Sequence, residues 1–132
     1  MRLMIDTNVI LDVLLQREPF YTESKKVLRL CEQKKILGFI SASAITDIFY
    51  ITRKATGNVE ETYKVINFIM DIVSVLTVTN DDVNHALQIR AQDFEDCLLA
   101  VCAKSNKCDA IVTRNPKDFD SFDIPILSPQ QV

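Results

Sequence analysis

The 132-residue sequence predicts an α/β fold in which a mostly parallel sheet is covered on both faces by helices. Three observations point there. Its strand candidates are short apolar runs without polar alternation: RLMI at 2–5, GFI at 38–40, VSVLTV at 73–78 and DAIVT at 109–113. Helical stretches, often paired, separate those runs. Only 2 glycines and 4 prolines occur in a chain that is 48% apolar, so little of it is disordered.

Taken in order, residues 2–5 are a buried strand. After DTN, Val9 to Leu15 reads as a helix that breaks near Arg17-Glu18-Pro19. Residues 22–34 are helical, with Val27, Leu28 and Leu30 inward and Lys25, Lys26, Arg29, Lys34 and Lys35 outward. Gly38 to Ile40 is a short strand, and Ser41 or Ser43 caps a helix over 43–55. Gly57-Asn58 turns the chain into a helix from Val59 to Met70, with Tyr63, Ile66, Ile69 and Met70 facing in. Val73 to Val78 is β-branched and strand-like. Asn80 or Asp81 caps a helix reaching Arg90, and Phe94 to Ala103 forms another. Asp109 to Thr113 is a strand, Pro116 to Phe119 a tight turn, and Ile124 to Leu127 an edge segment. No repeat or linker divides the chain, so one domain over 1–132 is expected.

Composition excludes several classes. No apolar run approaches a membrane span, and the N-terminus reads directly into a strand without a leader pattern. Cys31, Cys97, Cys102 and Cys108 lack metal-finger spacing and read as small core fillers in a reducing compartment, so a cytoplasmic protein is expected. No serine sits on a nucleophile elbow, no glycine-rich phosphate loop exists, and the lone His85 reads as a surface helix residue. A net charge of -3 argues against a strongly basic nucleic-acid binder. Gathering five acids into one site would leave 15 basic residues against 13 acidic elsewhere.

The chemistry rests on carboxylates that interrupt apolar segments. Asp6 follows a buried strand, where either ligand binding or helix capping accounts for it. Asp47 is the only charge between Ile40 and Arg53, beyond the first turn of its expected helix; pairing with Arg53 or an outward stripe is the alternative. Burying it unpaired would cost roughly several kcal/mol. Asp93 and Asp96 lie i, i+3 on one helix face, with Asp93 a natural N-cap and Glu95 a solvated acid. Asp118 lies just past the strand ending at Thr113, and Asn115 is a further cap candidate. Four converging acids repel one another unless a cation neutralises them, and hard oxygen donors without His or Cys suit Mg2+ or Mn2+.

Three blocks resemble the PIN-domain family, as found in the toxins of VapBC-type toxin–antitoxin systems. They are MIDTNVILD at 4–12, SASAITDIFYI at 41–51 and DFEDCLLAVCAKSNKCDAIVTRNPKDF at 93–119. The resemblance spans essentially the whole chain. It implies a PIN-like (Rossmann-like) three-layer α/β/α sandwich and an acidic, Mg2+- or Mn2+-dependent ribonuclease site with one or two ions. The family's acids fall on Asp6, Asp47 and Asp96, and its variable fourth position on Asn115 or Asp118. Thr7 and Asn8 occupy the small polar positions beside the first acid, and Asp93, Thr113 and Asn115 support the others. Two departures stand out: the second acid is usually Glu, and Asn115 replaces a frequent Asp.

Metal is thus expected at Asp6, Asp96, Asp118 and Asp47, and RNA, tRNA included, at Arg114, Arg17, Arg53 and Lys54. Lys25 and Lys26 are weaker candidates. Phe20, Tyr21 and Tyr50 are candidates for base stacking, with core or dimer packing the alternative. A homodimer is expected, with Phe39, Phe49, Tyr50 and Ile51 contributing apolar surface, and a cognate antitoxin is an expected partner. The rival reading is a PIN fold retained for RNA binding or regulation with little or no hydrolysis, motivated by Asp47 and Asn115.

Overall fold

The computed structural model describes residues 1–132. Five strands, β1 (Arg2–Ile5), β2 (Leu37–Ser41), β3 (Ser74–Leu76), β4 (Ala110–Val112) and β5 (Ile126–Leu127), form one sheet in the order β3-β2-β1-β4-β5. Every pairing is parallel. Six helices accompany them: α1 (Thr7–Leu14), α2 (Tyr21–Glu32), α3 (Ile45–Thr56), α4 (Val59–Met70), α5 (Asn80–Ile89) and α6 (Phe94–Ser105).

The pleat divides the core in two. Leu3, Ile5, Ile40 and Val112 point to the face covered by Val9, Ile10, Val27, Ile48 and Ile69 of α1 to α4. Met4, Phe39, Leu76 and Ile111 point to the opposite face, against Leu99, Ala100, Cys102 and Ala103 of α6. Alternate side chains on a strand must face opposite ways, so an all-apolar strand requires cover on both sides. Cys97 through Ala103 are all buried because α6 is sandwiched between the sheet and α5, where Ala86 meets Cys97, Leu98 and Val101.

Several boundaries differ from the sequence reading, each for a local reason. Asp6 itself caps α1, accepting from the Thr7 N–H, so the helix begins at Thr7 rather than Val9. Ser41 caps a 3-10 turn over Ala42–Ala44, and α3 proper starts at Ile45. That places Asp47 inside the first turn of α3, not beyond it. Thr79 caps α5 in a reciprocal capping box with Asp82, displacing Asn80 and Asp81 from that role.

In α4, Ile66 and Ile69 face the core as expected, but Thr62 is buried with them, while Tyr63 is 54% and Met70 37% exposed. The Thr62 hydroxyl donates to the Asn58 carbonyl at 2.8 Å and meets Thr56 Oγ1 at 3.0 Å, turning it toward the α3–α4 corner. At that corner Gly57 adopts φ 66°, a left-handed helix end that glycine tolerates best.

What positions the site is the strand order. It reverses between β1 and β4, and their carboxyl ends deliver Asp6 and Thr113 side by side. Such a switch point leaves a crevice where ligands sit in open parallel sheets.

Candidate active site

Asp6 sits at the centre. Its backbone N–H extends the sheet by donating to the Val112 carbonyl at 2.9 Å. Its carboxylate accepts from the Thr7 N–H at 2.8 Å, Asn8 Nδ2 at 3.2 Å and the Thr113 hydroxyl at 2.8 Å. Burial pushes its pKa up; the Thr113 and Thr7 donors oppose that push, Asp118 adds to it and Arg114 opposes it. The helix-capping and ligand-site readings of Asp6 therefore coexist, because one oxygen serves the cap while the other faces Thr113 and Asn8.

Asp93 caps α6, accepting from the Asp96 N–H at 2.9 Å. This fixes Asp96 on the first turn, aimed at Asp6. Burial, then the charges of Asp93, Asp6, Asp118 and Glu95, push the Asp96 carboxyl up to about 7. The repulsion expected of converging acids is thus concentrated on this residue.

Asp6, Thr7, Ser43, Ala44, Glu95, Asp96 and Leu99 line a small cavity of about 50 Å³. Glu95 is exposed, as expected of a solvated acid, and it also borders this cavity. Its pKa is raised first by a hydrogen bond with Asp47 and then by burial and the charges of Asp47, Asp93 and Asp6. Asp47 is exposed on the first turn of α3 and is the main group acting on Glu95. Asp118 lies on the 3-10 turn Pro116–Phe119, close enough to raise both Asp6 and Asp96. Its loop is tied to the site by the Asn115 N–H donating to Thr113 Oγ1 at 3.1 Å.

The donors fit a hard divalent cation. All are oxygens, and at least one carboxylate is left uncompensated enough to hold its proton near neutrality. No three His, Cys, Asp or Glu side chains stand at ligating spacing, however. Asp6 and Asp96 line one cavity, and Asp96 and Asp118 line the depression beside it.

Asp12 is the residue that sequence reasoning passed over. It is wholly buried, and Arg114 grips it with both arms, Nε to Oδ2 at 2.6 Å and Nη2 to Oδ1 at 3.1 Å. Ser24 Oγ donates to it at 3.5 Å, and Arg17 lies 3.9 Å away. The signal was available: Asp12 interrupts VILDVLL just as Asp6 follows RLMI. The Arg114 guanidinium also lies 4.0 Å over the Phe20 ring, so both residues are engaged within the molecule. The Arg114 backbone N–H donates to Asn8 Oδ1 at 3.3 Å, linking the pair to the Asp6 ligand shell. Arg53 and Lys54 are exposed at the far end of α3, away from the acids.

Comparison with known proteins agrees with this architecture. Residues 2–117 match the family model described as PIN domain. The chain is 25% identical over 140 residues to Ribonuclease VapC1 of Aquifex aeolicus (strain VF5), covering 98% of this chain and 92% of that protein. Its fold is similar to VapBC2 from Rickettsia felis bound to a DNA fragment from their promoter, with TM-score 0.76 and 16% identity over 97% of this chain and 98% of that one. It is also similar to the sarcin-ricin loop cleaving toxin VapC20 of Mycobacterium tuberculosis, at TM-score 0.69 and 13% identity over 92% of this chain and 96% of that one. With the parallel five-stranded sheet and the acids at its switch point, the match over residues 2–117 establishes that this chain belongs to the PIN-domain family.

Proposed function

We propose that this protein is a divalent-metal-dependent endoribonuclease and the toxin of a type II toxin–antitoxin pair. The observation that carries the reading is Asp6, held by three donors and facing an Asp96 carboxyl pushed up to about 7. Such an arrangement is tense without a cation and relieved by one. Asp6 and Asp96 would hold Mg2+ or Mn2+, with Asp118 and Asp47 contributing directly or through water. When bound, the ion would activate water and neutralise charge growing on the phosphoryl oxygens.

The chain's own groups do the remaining work. Thr7, Asn8 and Thr113 fix the rotamer of Asp6, and Asp93 holds Asp96 at the head of α6. Glu95, raised above the usual carboxylate range by its neighbour Asp47 and by burial, is the acid proposed to serve proton transfer beside the cavity. Arg17, Arg53 and Lys54 are the cations proposed to meet RNA. Arg114 is proposed to support the site through Asp12 and Asn8 rather than to hold phosphate.

The names of the similar proteins support an antitoxin partner. A homodimer is supported by the exposed apolar surface of the α3–α4 hairpin, including Tyr50, Ile51, Tyr63 and Phe68. A second reading, RNA binding without turnover, is favoured by one observation: Asp47 pairs with Glu95 and does not line the cavity. Incubation of total RNA and tRNA with Mn2+, Mg2+ or EDTA decides between them. Cleavage with metal that disappears in EDTA and in Asp6→Asn and Asp96→Asn supports the enzyme. RNA binding without metal-dependent cleavage supports the second reading.

A further inference from the structure

The acidic cavity does not end at Asp96. Asp96 also lines a depression of about 340 Å³ with Gln92, Asp93, Asp118, Ser121 and Phe122. Ser121 and Phe122 in turn line a groove of about 490 Å³ between α5, α6 and the loop after Phe119. Shared residues make these three hollows one trough running away from the site. Its far end is the roomiest part, within the range of about 300–1,000 Å³ typical of ligand pockets.

That groove differs chemically from the site it leads to. Its walls are apolar, with Ile89 on α5, Val101 on α6 and Phe122 opposite, and its rim carries His85 and Lys104. Two acids also lie there, and both are answered. Asp82 is buried and accepts from the Thr79 N–H at 3.0 Å within the α5 cap. Asp123 is fully exposed and lies 3.6 Å from Lys104, a surface pair that a phosphate can displace.

Resting on the ribonuclease reading above, we propose that this groove is a base-binding subsite for the RNA strand leaving the acidic site. One unstacked nucleobase lies against Phe122, Ile89 and Val101, and its phosphate faces Lys104 and His85. Sequence-tolerant capture of splayed bases on apolar and aromatic side chains, with a cation on the backbone, is how proteins commonly hold single-stranded RNA. The acidic middle of the trough repels phosphate, so a cation beyond it anchors a strand that the catalytic acids alone would expel. The only histidine of the chain thereby has a use that its surface position did not suggest.

The test uses the full chain with single-stranded RNA. A 4-thiouridine-containing oligonucleotide, irradiated with the Asp6→Asn variant that holds the strand uncut, should crosslink to peptides carrying His85, Ile89 or Phe122. In Mn2+-supported cleavage, Lys104→Glu and Ile89→Ser should each raise KM about fivefold with kcat held within about twofold. Lys104→Glu should also lower the salt dependence of KM by about 0.7 in log–log slope, as one lost phosphate contact requires. Lys64→Glu on α4, an equal change of charge on another face, should leave KM unaltered. Lys104, Ile89 and Lys64 are all exposed, so folding is not at stake. Wild-type cleavage with an unchanged KM in Lys104→Glu and Ile89→Ser, or crosslinks only outside the groove, overturns the subsite and leaves the ribonuclease standing. Absence of wild-type cleavage together with absence of crosslinking overturns both.

Discussion

Arg114→Ala probes the buried ion pair behind the site. Asp12 is 0% exposed and the Arg114 side chain 23% exposed, so removing the guanidinium strands a carboxylate away from water. Deleting one partner of a buried pair costs about 3–5 kcal/mol. Arg17 at 3.9 Å and Ser24 at 3.5 Å remain beside Asp12, so the low end, about 3 kcal/mol, is expected. For a chain of this length the unfolding entropy is about 0.28 kcal/mol/K, making that loss about 10 °C in Tm. Calorimetry and urea unfolding of metal-free protein measure it. The double variant Asp12→Leu/Arg114→Met, which removes both charges and keeps volume, should recover most of the loss. A fall in stability below about 1 kcal/mol for Arg114→Ala, with a raised KM for RNA instead, would refute the structural role and return Arg114 to phosphate binding.

The remaining predictions concern charge and packing. Asp96 holds its proton up to about 7 in the folded protein, against an ordinary value of 3.8. The folded state therefore binds more protons than the unfolded chain between those values, so metal-free stability should fall as pH rises from about 4 to about 7. Asp96→Asn should flatten that slope in a Tm-versus-pH series. Asp47→Glu changes reach while keeping charge: higher turnover on RNA would mark Asp47 as a partial loss of the family's Glu, and lower turnover a site tuned to the shorter side chain. Gly38→Ala places a Cβ 2.5 Å from Cys31 Sγ and 3.0 Å from Ile5 Cδ1, so it should destabilise by about 1–3 kcal/mol in urea unfolding.

Much of the fold was readable because burial on two faces leaves a simple imprint. RLMI, GFI and AIV have no polar alternation, and with helical stretches between them a covered parallel sheet accommodates them. Asp6 and Asp96 were readable for the same reason, since each borders a wholly apolar stretch. Helix phase was harder. Tyr63 and Thr62 are one residue apart, and a polar hydrogen bond at the Asn58 corner, not hydrophobicity, selected Thr62 for burial. Glu95 was unreadable because its role depends on Asp47, which lies 48 positions earlier and meets it only across the folded site. Asp12 was missed although the signal was present: its partner, Arg114, is 102 residues away.

The central claim is that a divalent cation relieves the repulsion among Asp6, Asp96 and Asp118. Thermal unfolding of the wild type with increasing Mn2+ at pH 7.5 tests it without reference to turnover. A ligand bound only by the folded state adds about 2.7 kcal/mol at one hundred times its Kd, here about 10 °C. Wild type should show that saturable rise, and Asp6→Asn should start higher without metal and rise little. A wild-type Tm indifferent to Mn2+, or an equal rise in Asp6→Asn, would contradict the account.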